Sequence, residues 1–256
     1  MRGLWRGLLT LAGLLSAWQL VVALGQLPPY ILPGPWAVAA SLWRYAGSLF
    51  DHAGVTALEI MLGMLLGTLL GCFTALTLGY SRRARRWLLP VLIASQAIPV
   101  FAIAPLLVLW LGYGMGSKIA MAMLIIYFPV TANFYDGLRH TPRGWLDLAR
   151  VMAPVDRRWA MLRHIAIPAA LPALGSGLRV AAAVAPIGAV LGEWVGSSAG
   201  LGYLMLHANS RMQVDLLFAA LFVLAALAVG LYFIVDAGLK RLLPWHRVNP
   251  ETTETD

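Results

Sequence analysis

The sequence predicts an all-α integral membrane protein with about six transmembrane helices. Of its 256 residues, 60% are hydrophobic and only 12% are charged, whereas a soluble domain carries roughly 25% charged residues. Several apolar runs reach the roughly 20 residues that a helix needs to cross a bilayer. Because such a chain has too little polar surface to dissolve in water, we interpret residues 1–256 as a single membrane domain.

Six apolar runs mark the candidate spans. They cover residues 5–25, 54–79, 88–111, 117–135, 169–192 and 216–238. The first run follows Arg2 and Arg6, as in a signal peptide, but its apolar stretch from Leu8 to Leu24 is long and lacks a clear cleavage site. We therefore favour an uncleaved N-terminal helix over a cleaved signal peptide. The polar tail at 249–256 is predicted to be disordered.

The distribution of basic residues predicts that both termini lie inside the cell. Six spans that start inside place fifteen Lys and Arg residues in inner segments and three in outer segments. The inner residues are Arg2, Arg6, Arg82, Arg83, Arg85, Arg86, Arg139, Arg143, Arg150, Arg157, Arg158, Arg163, Lys240, Arg241 and Arg247. The outer residues are Arg44, Lys118 and Arg211, and Arg179 lies within a span. Because basic residues are retained on the cytoplasmic side, this bias favours six spans. It also explains the net charge of +8 without a nucleic-acid partner.

Two spans carry motifs that bear on packing and bending. The second span has small residues at four-residue intervals, a spacing that lets two helices approach closely; these are Gly63, Gly67 and Gly71. The third span contains three prolines, which suit either a helix lining a path or a plain structural kink; these are Pro90, Pro99 and Pro105.

Two outer segments also show local patterns. The first, at 28–53, is rich in proline and aromatic residues, and its part from Trp36 to Phe50 has helical spacing and could lie along the membrane interface. The second, at 193–215, holds the small-residue stretch Gly196–Gly202, which suits a re-entrant turn.

Few polar side chains interrupt the spans, and three of them are candidates for a substrate path: Glu59, Gln96 and Asn133. A charged side chain inside the bilayer is costly and usually faces protein or water. Glu59 could instead lie near the outer interface, because it comes early in its span. Asp236 lies close to Lys240 at an inner helix end, and we expect an ordinary surface ion pair there.

Motifs of soluble enzymes are absent from the sequence. The stretch Gly112–Lys118 has glycines and a lysine, but not in the order of a phosphate-binding loop. The five histidines lack metal-ligand spacing, and the single cysteine, Cys72, cannot form an intrachain disulfide. We therefore predict neither a metal nor a bound cofactor. Energy for uphill transport must then come from a partner or from an ion gradient.

The inner segment from Asp136 to Pro168 is the most informative part of the chain. Two short amphipathic stretches flank a turn at Pro154, and apolar and basic residues alternate too often for a membrane span. Such an element could dock in a groove of a cytoplasmic partner. Alternatively, it could be an interfacial helix at the inner leaflet.

At this segment the sequence resembles the permease subunits of binding-protein-dependent ABC importers. Their signature is Glu-Ala-Ala, a glycine three residues on, and then Ile-x-Leu-Pro. Asp147–Ala149 stands in place of Glu-Ala-Ala, Ile165–Pro168 in place of Ile-x-Leu-Pro, and Ala153 in place of the glycine. The spacing to Ile165 is also longer than usual. The resemblance extends over roughly residues 50–240.

The resemblance implies a homodimer in the lipid membrane, with the transport path between two copies. It also implies a cytoplasmic ATP-binding subunit that hydrolyses ATP, so that this chain is not itself an enzyme, and an external binding protein that delivers substrate. The segment that contacts the ATP-binding subunit would include Asp147, Leu148, Ala149, Arg150, Met152, Trp159, Arg163 and Pro168.

Within this family the chain looks like the nitrate, sulfonate and taurine branch. Residues 185–198 and 200–209 look closer still to a subgroup, the permeases for pyrimidine precursors of thiamine, such as hydroxymethylpyrimidine. A sulfonate, taurine or nitrate permease remains the alternative within the family. An ion-coupled secondary transporter and a membrane enzyme are alternatives from other classes. The first would need buried carboxylates midway through spans, and the second would need clustered His, Asp or Glu.

Overall fold

Helices make up the regular structure of the described residues. The computed structural model describes residues 2–142, 144–147 and 158–245. The helices are α1 (Arg2–Leu24), α2 (Pro35–Arg44), α3 (Ala46–Tyr80), α4 (Arg82–Ser95), α5 (Val100–Leu111), α6 (Met115–Arg139), α7 (Arg158–Met161), α8 (Ile167–Gly196), α9 (Leu201–Ser210) and α10 (Val214–Leu242). A π-helical turn, Leu162–Ala166, joins α7 to α8.

Five helical stretches in this part of the chain are long and apolar enough to cross a membrane. They are Trp5–Leu24, α3, α6, Trp159–Gly196 and α10. Helices α4 and α5 form a sixth candidate span that is bent by 101°. The predicted span at 88–111 is therefore a bent pair of helices, and its prolines were expected to permit a bend. Pro99 lies at the break, where it offers no N–H for helical hydrogen bonding and disfavours the helical conformation of the residue before it.

Helices α3 and α6 run in the same direction and touch through the predicted glycine motif. A Cβ atom added to Gly63 would lie 2.6 Å from Cβ of Ala122, and one added to Gly71 would lie 2.9 Å from Cγ1 of Val130. The contacts advance together along both helices, so the two helices are parallel. The predicted role of this motif in close helix packing is confirmed.

Helix α8 also packs against α6 and runs in the other direction. A Cβ atom on Gly177 would lie 2.9 Å from Cβ of Asn133, whereas one on Gly192 would lie 3.0 Å from Cα of Lys118. Glycine therefore lines α6 from two neighbouring helices, and the centre of α6 is buried, with Ile126 fully enclosed.

The packing defines two ends of the bundle. At the Glu193 end, α3, α6 and α10 begin and α8 ends. At the Asp236 end, α3, α6 and α10 end and α8 begins. Helix α1 is mostly exposed, but Trp18 near its end packs against Phe218 and Phe222 near the start of α10, with ring centroids 6.0 and 5.9 Å away. The start of α1 and the end of α10 therefore point toward the Asp236 end.

The Glu193 end also carries the two segments predicted to lie outside the spans. The helix predicted from Trp36 to Phe50 is divided between α2 and the first turns of α3. The small-residue stretch Gly196–Gly202 forms a turn that leads directly into α9. The side chains of α9 pack with α2, α3 and α10 around Val38, Leu201 and Ala219.

Candidate functional site

Three charged side chains meet inside the bundle at the Glu193 end. Glu59 of α3 is 0% exposed, Glu193 of α8 is 1% exposed, and Lys118 of α6 is 6% exposed. The Lys118 ammonium lies 3.1 Å from Oε1 of Glu59. Together with Thr56 of α3, these residues form what we call the carboxylate cluster. Because α3, α6 and α8 pack closely on glycine, long side chains from the three helices can reach the same buried point.

Glu193 accepts hydrogen bonds from two other elements. The Thr56 hydroxyl donates to Oε1 of Glu193 over 2.6 Å. The backbone N–H groups of Gly202 and Tyr203 at the start of α9 both donate to Oε2, the latter over 3.3 Å. An N–H group at the start of a helix has no partner within that helix, so Glu193 serves as a cap supplied from a different helix.

Helix α3 completes this cap. Thr56 Oγ1 accepts from the backbone N–H of Leu201 over 2.8 Å, and Nδ1 of His52 accepts from the N–H of Gly200 over 3.0 Å. A Cβ atom on Gly202 would lie 2.8 Å from Oε2 of Glu193. The small residues before α9 are therefore needed because the carboxylate occupies the space that side chains would take.

The predicted path residues lie apart from one another. Glu59 is buried in the carboxylate cluster, so this chain gives it no surface toward a path. Gln96 is exposed at the bend between α4 and α5. Asn133 donates to the Pro129 carbonyl over 2.8 Å and lines an open cavity of about 390 Å³ between α3, α4 and α6. Their shared role in a substrate path stays a prediction.

The Asp236 end holds its charges nearer to solvent. The Arg179 guanidinium lies 2.7 Å from Oδ1 of Asp236, and the Lys240 ammonium lies 2.6 Å from Oδ2. The predicted pair of Asp236 and Lys240 is confirmed, and Arg179 joins it from α8. In addition, Asp136 and Arg139 stand at the rim of the cavity that Asn133 lines.

The predicted contact segment for an ATP-binding subunit lies only partly within the described residues. Trp159 is 56% exposed and meets the ring of Tyr80 edge-on, with centroids 6.2 Å apart. Asp147, Arg163 and Pro168 are also exposed. The remaining four residues lie outside the described residues: Leu148, Ala149, Arg150 and Met152.

Sequence reasoning missed most of the carboxylate cluster. Lys118 was assigned to an outer segment by the charge count, but it is a buried residue of α6. Glu193 was noted only within a family-like stretch, His52 was considered only as one of five histidines without metal-ligand spacing, and Thr56 was not considered. A usable signal was present, since Glu59, Lys118 and Glu193 each lie near the same predicted end of a different span.

The fold defines the class of protein: a multi-pass helical membrane protein with a buried polar cluster at one end and exposed aromatic and basic side chains at the other. The profile of the family described as "Binding-protein-dependent transport system inner membrane component" matches residues 67–248. The chain belongs to this family. It is a permease component of an ABC importer, not an enzyme and not an ion-coupled transporter.

Relatives match along nearly the whole chain. A probable ABC transporter permease protein from Haemophilus influenzae is 58% identical over 94% of this chain and 97% of its own length. The formylaminopyrimidine transport permease ThiX from Halalkalibacterium halodurans is 35% identical, with 91% and 93% covered. The riboflavin transport system permease RibX from Chloroflexus aurantiacus is 37% identical, with 92% and 88% covered. Other relatives are named for aliphatic sulfonates and taurine.

A solved structure shares the fold. The MetNI methionine ABC transporter in inward-facing conformations matches with a TM-score of 0.53 and 16% identity. The match covers 78% of this chain and 97% of the other chain. At this level of identity, the likeness supports the helical architecture alone.

Proposed function

We propose that this permease imports a small heteroaromatic compound, a pyrimidine precursor of thiamine. The observation that carries the proposal is the likeness to the formylaminopyrimidine permease over more than nine-tenths of both chains. It agrees with the likeness of residues 185–198 and 200–209 to that subgroup. A sulfonate, taurine or nitrate permease is the second candidate, because relatives named for sulfonates and taurine match at 31% and 30% identity.

Uptake in a strain that cannot make its own thiamine pyrimidine tests the substrate. Deletion of this permease should abolish growth on low external formylaminopyrimidine or hydroxymethylpyrimidine, and expression of the chain should restore it. Taurine and aliphatic sulfonate uptake in the same strains serve as controls. Unchanged pyrimidine uptake after removal of other routes, together with lost sulfonate or taurine uptake, would favour the second candidate.

We also propose that the Asp236 end faces the cytoplasm and the Glu193 end faces outward in a bacterial inner membrane. The basic residues near the start of α1 and near the ends of α3, α6 and α10 support this orientation. An alkaline phosphatase fusion after Lys240 should be inactive, and a β-galactosidase fusion at the same point should be active. The opposite pair of results would overturn the orientation.

The proposed assembly has two copies of this chain, two ATP-binding subunits at the Asp236 end and a substrate-binding protein at the Glu193 end. The bent pair α4–α5 supports a second copy, since every residue of α4 is at least partly exposed and Trp87, Val91 and Phe101 are largely uncovered. Gln96 and Asn133 lie on or next to this pair and are the proposed path residues. Copurification of two differently tagged copies from mixed expression measures the dimer.

A further inference from the structure

The carboxylate cluster holds one basic and two acidic side chains in a space almost closed to solvent. Both carboxyl groups interact with each other as well as with their hydrogen-bonding partners. Lys118 is the positively charged group that faces Glu59 from α6, and the other titratable neighbours are His52 on α3 and Tyr203 and His207 on α9. His52 accepts a hydrogen bond from Gly200 through Nδ1, and among the described residues it makes no hydrogen bond to either carboxyl group. Three full charges would leave one negative charge without compensation, and a buried group in that position usually becomes neutral.

The hydrogen bonds distinguish the two carboxyl groups. Glu193 accepts from the Thr56 hydroxyl and from the backbone N–H groups of Gly202 and Tyr203, which favours an ionised carboxylate. Neither oxygen of Glu59 accepts a hydrogen bond of good geometry among the described residues, although Lys118 is close to one of them. A protonated carboxyl group at Glu59 would instead donate a hydrogen bond toward the Glu193 carboxylate.

We propose that Glu59 is a buried proton-binding site, and that its proton allows Glu193 to stay ionised and anchor the start of α9. One ammonium, one carboxylate and one neutral carboxyl group then give the cluster no net charge. Glu193 acts as a positioning residue for α9, since it holds the helix through backbone groups. The proposal rests on the proposed function only in calling this end of the bundle the outer one.

The anchor determines where α9 lies. Four successive backbone N–H groups, from Gly200 to Tyr203, donate to side chains of α3 or α8. Truncation of Glu193 leaves two of these donors buried without an acceptor, and a neutral Gln in its place offers them only a weaker one, so both changes penalise the docked position. Helix α9 then separates more often from the apolar residues that it covers, including Ala208, which is 2% exposed in the docked position.

A reporter cysteine measures this separation directly. The full chain, purified in lipid nanodiscs so that both faces are accessible, carries Cys72→Ala and Ala208→Cys, and the rate of maleimide labelling is followed. Glu193→Ala and Glu193→Gln should each raise the labelling rate about tenfold or more, because hydrogen bonds to charged groups are the stronger kind. Glu59→Gln mimics the protonated form and should leave the rate within about twofold of the parent. Asp236→Asn is the matched control carboxylate and should also leave it unchanged.

Infrared spectroscopy tests the proton itself. A protonated carboxylic acid has a carbonyl stretch that an ionised carboxylate lacks, and in the parent protein one such band should be insensitive to the external buffer and absent in Glu59→Gln. Absence of the band from the parent would show that both carboxyl groups are ionised and would overturn the proton site. If Glu59→Gln raised the labelling rate but Glu193→Gln did not, the proton would lie on Glu193 and not on Glu59, and the proposal would be wrong.

Folding controls keep the test decisive. Thermal unfolding is measured for each variant. If Glu193→Ala does not fold, Thr56→Val takes its place. The Thr56→Val change removes one donor to Glu193 and the acceptor for the Leu201 N–H without changing the charge. Unchanged labelling in a folded Glu193→Ala or Thr56→Val protein would overturn the anchor. Labelling involves no transported solute, so this result is independent of whether the pyrimidine proposal holds.

Discussion

The two ends of the bundle differ in how deeply their charged side chains are buried. At the Glu193 end, the side chains of Lys118 and Glu59 are 7% and 0% exposed. At the Asp236 end, the side chains of Arg179 and Lys240 are 31% and 71% exposed around Asp236. The first arrangement is enclosed by the bundle, whereas the second stays open to water.

The difference has an energetic meaning. Removing one member of a buried ion pair leaves a charge that water cannot reach, whereas an exposed pair contributes little because solvent screens it. Polar groups at the Glu193 end therefore define the internal structure of the subunit. Those at the Asp236 end remain available to another protein.

The largest effect is expected for Lys118→Met, which keeps the length of the side chain but removes its charge. It should lower the free energy of unfolding by about 3–5 kcal/mol, because the ionised Glu193 carboxylate is then buried without a positive charge in the cluster. Denaturant unfolding in mixed micelles measures the change. Lys240→Met is the matched control and should cost less than about 1 kcal/mol. If both variants lowered the free energy of unfolding by the same small amount, the two ends would not differ in the way described.

A smaller effect is expected at the open end, and it concerns assembly rather than folding. Trp159→Ala should weaken association with the ATP-binding subunit about thirtyfold, since loss of an aromatic anchor can cost about 2 kcal/mol. Copurification at matched expression, together with transport, measures it. Trp43→Ala removes a tryptophan that is 88% exposed at the other end and should leave association unchanged. Normal association and transport with Trp159→Ala would leave the interfacial-helix interpretation of this segment.

The smallest effect is expected for Asp236→Asn. It removes both ion pairs at the Asp236 end, yet unfolding should become easier by no more than about 1 kcal/mol, because both basic partners keep access to water. High salt should reduce even this difference. A loss comparable to that of Lys118→Met would mean that the Asp236 end is as enclosed as the other end in the membrane.

The sequence predicted features that depend on short-range patterns. Apolar length located the spans, four-residue glycine spacing predicted that α3 packs closely against another helix, and the i,i+4 relation of Asp236 and Lys240 predicted their ion pair. Each of these depends on residues within one helix. The family was also correctly recognised, because its signature lies in one continuous segment.

Features that depend on relations between distant helices could not be predicted. The carboxylate cluster joins residues 59, 118 and 193, and their meeting depends on the relative shift of three helices, which residue type does not encode. The prolines of the third span indicated that a bend was possible, but not that it would be as large as 101° or that it would fall at Pro99 rather than at Pro90 or Pro105.

The glycine contacts of α3 and α8 with α6 have a mechanical consequence. When one helix slides past another, side chains at the contact usually change rotamer to allow it. The glycines of α3 and α8 that pack against Ala122, Val130 and Asn133 have no side chain that could do so. We therefore expect α3, α6 and α8 to move as one rigid unit. An importer must still change shape in every cycle. The change of shape must then occur in elements outside this rigid unit, above all in α4 and α5, where the helix is already interrupted at Pro99.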